Sequence, residues 1–126
     1  MPTVLLIEDE ILVRELLKEV LEINGFEVIT AHNGIEGVRL FKESPTDLVI
    51  TDLVMPEQEG VKTTLQIKQH RPQVKIIVIS GKLETESMNS APILTMMGAD
   101  LVLKKPFDND VLLQEVRSLL MLETSE

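Results

Sequence analysis

Short, predominantly β-branched and aliphatic runs that end abruptly at acidic or hydroxyl residues recur along the chain. Each is separated from the next by a segment with helical periodicity, and this alternation restricts the fold more than any other feature. The first run, Pro2 to Ile7 (PTVLLI), stops at Glu8-Asp9-Glu10. Unbroken runs of this kind belong to strands buried on both faces. From Ile11 to Ile23, Leu12, Leu16, Leu17, Val20 and Leu21 recur at three- and four-residue spacing before Asn24-Gly25, which predicts an amphipathic helix with a C-terminal stop. The pattern then repeats. Glu27 to Thr30 predicts a short strand, Asn33-Gly34 opens a helix through Glu43, and Leu48, Val49, Ile50 and Thr51 form a second apolar strand ending at Asp52. Pro56 and Gly60 break the following loop, Val61 to His70 is helical, and Arg71-Pro72 ends that helix. Val74 to Ile79 (VKIIVI) is a third apolar strand ending at Ser80, Leu101 to Leu103 is a last short strand, and Asp108 caps a final helix carrying Val111, Leu112, Val116, Leu119 and Leu120.

Five strands alternating with about five helices predict βαβ crossovers and an α/β fold: a doubly wound, five-stranded parallel sheet covered on both sides. At 126 residues the flavodoxin-like strand order 2-1-3-4-5 is the natural expectation, and in such sheets ligands sit beyond the carboxyl ends of the strands. One domain spanning 1–126 accounts for the whole chain. With no cysteine and two isolated histidines, His32 and His70, disulfides, thiolate chemistry and His- or Cys-based metal centres are excluded. Twelve basic against twenty-one acidic residues leave a net charge of -9, which disfavours direct contact with nucleic acid or anionic lipid. The opening apolar run lacks a basic leader and is too short for a signal peptide, and no later stretch approaches a membrane span. A cytoplasmic protein that meets proteins and cations is the expectation.

The strand ends carry the chemistry. The first strand delivers Glu8 and Asp9, the third Asp52, the fourth Ser80, and the fifth is followed by Lys104-Lys105-Pro106-Phe107. Gathered at one pole, three carboxylates repel, and without a cation at least one carboxyl is pushed above its ordinary range. A hard divalent cation relieves the repulsion, and Mg2+ fits best because it takes a few carboxylate or carbonyl oxygens and keeps waters that a phosphate oxygen can replace. A carboxylate beside Mg2+, with a lysine and a hydroxyl nearby, is a set of parts for phosphoryl transfer to Asp52.

On these residues the chain resembles the receiver domain of two-component response regulators. The resemblance is carried by IEDE at Ile7 to Glu10, TDLVMPEQEG at Thr51 to Gly60, VIS at Val78 to Ser80, GAD at Gly98 to Asp100 and KPF at Lys105 to Phe107. It implies that Asp52 accepts a phosphoryl group from a histidine kinase or phosphotransfer protein. It also implies that Glu8, Asp9 and Asp52, with the backbone carbonyl of Val54, hold Mg2+, that Ser80 is the switch hydroxyl, and that Lys105 contacts the phosphoryl group. Phosphorylation would switch a binding surface for an output protein and be reset by autodephosphorylation. Dimerisation through the face of the fourth and fifth helices is a further implication.

Two departures stand out. Val102 occupies the position, three residues before Lys105, where receivers usually carry an aromatic that swings inward on activation. The stretch from Ser80 to Gly98 is longer than usual by about one helical turn and contains Pro92, so a long loop and a short fourth helix are expected. The chain stops soon after its last helix, at Leu122 to Glu126, as expected for a stand-alone receiver without an effector domain or for a piece of a longer protein. Two alternatives are a pseudo-receiver that binds partners without phosphorylation, and a Mg2+-dependent phosphohydrolase using Asp52 as nucleophile. The second lacks the further acid such enzymes place two residues on, where Val54 stands. A flavin carrier of the same fold lacks aromatic stackers and a Ser/Thr/Gly-rich phosphate loop.

Overall fold

The computed structural model describes residues 2–52, 60–80 and 98–120, apart from the side chains of 60, 61 and 80. In chain order the elements are β1 (Thr3–Ile7), α1 (Ile11–Ile23), β2 (Glu27–Ala31), α2 (Gly34–Glu43), β3 (Leu48–Asp52), α3 (Gly60–His70), β4 (Lys75–Ser80), β5 (Leu101–Lys104) and α4 (Asn109–Leu119). The five strands form one parallel sheet in the order β2-β1-β3-β4-β5, the expected doubly wound arrangement. The described residues hold four helices, not about five. The short fourth helix expected between Ser80 and Gly98, and with it most of the expected dimer face, falls at 81–97, outside the described residues.

Side chains alternate across each strand, and the alternation divides the core in two. Leu5, Ile7, Val49, Ile76 and Val78 face one side, where Val38 and Phe41 of α2 and Ile67 of α3 cover them. Val4, Leu6, Leu48, Ile50, Ile77 and Ile79 face the other, under Leu17 and Leu21 of α1 and Leu112, Leu113 and Val116 of α4. β1, β3 and β4 are buried on both faces, which is why their sequences show no polar alternation. Where α2 crosses β1 the helix approaches closely, because a Cβ on Gly37 would collide with the Ile7 side chain. Gly25 ends α1 at φ +96, a conformation that favours glycine.

Local capping is partly as expected. Asn33 Oδ1 accepts the Glu36 N–H at 2.8 Å, and Glu36 Oε1 reaches back to accept the His32 N–H at 2.8 Å, a reciprocal arrangement that fixes the start of α2. The same carboxylate lies 2.6 Å from His32 Nδ1, so His32 has a partner that sequence alone does not reveal. Asp108 stands at the N-cap of α4 but makes no side-chain cap bond. Its carbonyl instead accepts the N–H groups of Val111 and Leu112.

Thr64 of α3 is fully buried, and its Oγ1 has no hydrogen-bond partner among the described residues. An unsatisfied buried hydroxyl is destabilising, and valine has nearly the same shape. Thr64→Val is therefore expected to raise unfolding free energy by about 1 kcal/mol, read as a higher denaturant midpoint with an unchanged slope.

Candidate functional site

The site follows from register and parity. Ile7 of β1 pairs with Thr51 of β3, so one residue further on Glu8 and Asp52 stand side by side at the carboxyl end of the sheet. Both share the parity of Leu6 and Ile50, whose side chains face α1 and α4. On β5, Leu101 and Leu103 pack on that same face, and Lys105 continues their parity just beyond the strand end. Its ammonium reaches Asp52 Oδ2 at 3.2 Å. The Lys105–Pro106 peptide bond is cis.

Glu8, Asp9 and Asp52 offer carboxylate oxygens that all lie within 4.8 Å of one another. Glu8 and Asp52 are buried, at 2% and 8% exposure, whereas Asp9 is open to solvent. Three oxygens converging from two buried groups and one exposed group form an open, hard donor set suited to a divalent cation. The electrostatics express the crowding. Burial first, and the neighbouring Asp52 charge second, push the Glu8 carboxyl up to about 7, although the Glu10 N–H and Lys105 pull the other way. For Lys105, partial burial opposes the ammonium, but the charge and hydrogen bond of Asp52 outweigh it and hold the lysine above its ordinary value.

Two supporting contacts escape sequence reasoning because they depend on the turn after β1. Glu8 Oε2 accepts the N–H of Glu10 at 3.2 Å, and Arg14 of α1 donates to the Glu8 carbonyl at 2.9 Å. Together they fix the segment that presents Glu8 and Asp9. Beside the acids, a groove of about 290 Å³ runs between α1 and α4, lined by Glu8, Leu16, Ile79, Lys105 and Phe107 among others. Of the remaining sequence expectations, Ser80 ends β4 opposite Lys104, placing its backbone at the same pole. Its side chain, like all of Val54, lies outside the described residues. Val102 is half-buried and packs against the core on the α2–α3 side. Among the described residues, no helix is long and apolar enough to cross a membrane.

The raised Glu8 carboxyl predicts a pH dependence. The folded protein keeps this proton up to about 7, whereas an ordinary glutamate releases it near 4.5. The folded state therefore binds more protons between those values, and stability from this group is present below 4.5 and lost as pH rises through 7. In chelator-treated protein, stability relative to Glu8→Gln is expected to fall across that window by on the order of 2 kcal/mol, measured by urea unfolding at a series of pH values.

Comparison with known proteins agrees with this geometry. Residues 4–117 match the response regulator receiver domain model. The chain is 36% identical over 118 residues to the chemotaxis protein CheY of Halobacterium salinarum, covering 93% of this chain and 95% of that protein. It is 39% identical over 106 residues to the probable C4-dicarboxylate response regulator DctR of Bacillus subtilis, where the match takes in 82% of this chain but only 46% of the longer protein. Among solved structures, the response regulator TrrA of Thermotoga maritima in complex with Mg(2+)-BeF superposes with a TM-score of 0.82 at 34% identity, over 94% of this chain and 99% of that one. A CheY-like receiver domain protein from Methanospirillum hungatei gives a TM-score of 0.90 at 25% identity, over 96% and 94% of the two chains. With its sheet order, its acidic pole and a family match over nearly its full length, the chain belongs to the receiver domains of two-component response regulators.

Proposed function

We propose that this receiver is a phosphorylation switch in which Asp52 accepts a phosphoryl group in a Mg2+-dependent reaction. The observation that carries the proposal is that the Asp52 carboxylate lies within 4.8 Å of carboxylate oxygens of Glu8 and Asp9 and 3.2 Å from the Lys105 ammonium. Glu8, Asp9 and Asp52 would hold Mg2+ together with the Val54 carbonyl, and the cation supplies charge neutralisation for phosphoryl oxygens. The solved TrrA structure contains Mg(2+)-BeF, which supports the same chemistry here.

The chain's own residues divide the work. An Asp52 oxygen attacks phosphorus on a donor phosphohistidine. The new O–P bond forms as the N–P bond breaks, and the electron pair leaves on the imidazole nitrogen. Lys105, already paired with the Asp52 carboxylate, neutralises the charge that spreads over the phosphoryl oxygens. Ser80 hydrogen-bonds a phosphoryl oxygen once transfer is complete. Water attack on the acyl phosphate later returns the carboxylate and releases inorganic phosphate. The donor is a histidine kinase or phosphotransfer protein, and the open groove with the exposed Leu12 and Leu16 of α1 gives it an apolar surface beside the acceptor. Phosphorylation then biases a pre-existing conformational equilibrium toward a state that an output protein binds.

A second reading is favoured by one observation. Val102 packs into the core with no aromatic ring to report the state of the pole, which suits a pseudo-receiver that engages partners without phosphorylation. Phosphoryl uptake separates the two. Incubation with a small acyl-phosphate donor and Mg2+ is expected to add one phosphoryl group by intact mass, labile to hydroxylamine and absent without Mg2+ or in Asp52→Asn. Uptake by Asp52→Asn at the wild-type level contradicts the assignment of the acceptor. Glu8→Ala combined with Asp9→Ala is expected to weaken Mg2+ binding on the order of tenfold or more. Calorimetry is the suitable readout, since the chain has no Trp or Tyr to report binding by fluorescence.

A further inference from the structure

Lys105 is delivered by β5, the weakest support in the sheet. β5 has four residues, lies at the sheet edge and, among the described residues, pairs with β4 alone. A slip of one residue would carry its side chains to the other face, so something must hold its register at the end remote from Lys105. There the Asp100 N–H donates to the Ile76 carbonyl at 2.8 Å, and Asp100 Oδ2 accepts the Ile76 N–H at 2.8 Å. The side-chain carboxylate thus takes the place of the backbone carbonyl that a longer strand would supply. The same oxygen lies 3.2 Å from Lys68 Nζ of α3. Lys68 also donates to the carbonyls of Val74 at 2.5 Å and Pro72 at 3.3 Å, so the ammonium combines one ion pair with two hydrogen bonds. Gly98, at φ +119, lies against the lysine stem, and a Cβ there would fall 2.6 Å from Lys68 Cγ. One partly buried ammonium therefore ties the end of α3, the turn into β4 and the start of β5 together.

We propose that Lys68 and Asp100 are positioning residues for the phosphoryl chemistry: by pinning the start of β5 they hold Lys105 on Asp52. The role rests on the phosphoacceptor assignment above. It predicts a specific pattern, because Glu8 and Asp9 follow β1 and Asp52 ends β3, strands that the Lys68–Asp100 tie does not touch.

The test compares wild type, Lys68→Met, Lys105→Ala and the double variant in the full chain, using acetyl phosphate as donor. Lys68→Met keeps the apolar stem and removes the charge. It is expected to slow uptake about tenfold and to raise amide exchange of Leu101 to Lys104 while β1 and β3 stay protected. Lys105→Ala still takes up phosphoryl, at a lower rate, and in that background Lys68→Met is expected to slow uptake no further. Asp100→Asn, nearly isosteric, is expected to show the same pattern and serves if Lys68→Met does not fold. Equal slowing by Lys68→Met with and without Lys105, an unchanged uptake rate, or unchanged exchange in β5 overturns the positioning role. No uptake by folded wild-type protein overturns the phosphoacceptor assignment itself, and the positioning role falls with it.

Discussion

Three carboxylates held within 4.8 Å of one another repel, and the rest of the molecule is organised so that they stay together. Two of them cannot retreat into water: Glu8 and Asp52 extend adjacent central strands and share the parity of residues packed under α1 and α4. Moving either would shift the register of β1 against β3 and expose Leu6 or Ile50, both fully buried. The hydrophobic core thus holds an electrostatic arrangement that the acids alone would not adopt. Lys105 relieves part of the repulsion, while burial first and the Asp52 charge second still push the Glu8 carboxyl up to about 7. Such a pole favours a ligand that brings positive charge, which is the physical root of the metal-dependent switch proposed above.

The two ends of the sheet carry carboxylates for different purposes. At the amino-terminal edge Asp47 Oδ2 accepts the Thr3 N–H at 2.8 Å, and Asp100 Oδ2 does the same for Ile76. Each closes a strand start where the backbone ladder runs out of acceptors, and each has hydrogen-bond donors to satisfy it. At the carboxyl-terminal edge the acids instead face one another. Identical functional groups therefore stabilise one end of the fold and prime the other, and neighbouring donors decide which role each plays.

Much of this was legible in the sequence. The apolar runs located β1, β3 and β4 because strands buried on both faces show no polar alternation, β2 and β5 were read from shorter runs, and the acids at the strand ends marked the pole. Boundaries moved by a residue or so, as where β4 begins at Lys75 and includes Ser80. The acid pair, Asp52 and Lys105 could be read as a constellation because each stands at or just beyond the end of a strand in a parallel sheet, where strand ends converge. Contacts set by the path of a turn could not be read in this way. The Arg14 contact, the His32–Glu36 pair and the Lys68–Asp100 tie all depend on where a side chain lands after the chain reverses. Asp108 shows the opposite failure: a residue well suited to capping occupies the cap position while its side chain makes no cap bond.

Everything proposed for the site depends on Asp52, and not an acid beside it, being the residue that carries the phosphoryl group. Borohydride reduction of freshly phosphorylated protein converts an aspartyl phosphate to homoserine, and peptide mass mapping then locates it. Homoserine at position 52 alone is the result expected from the arrangement described. Reduction at Glu8 or Asp9, or a stable phosphoryl group on Ser80 with position 52 unmodified, would contradict it.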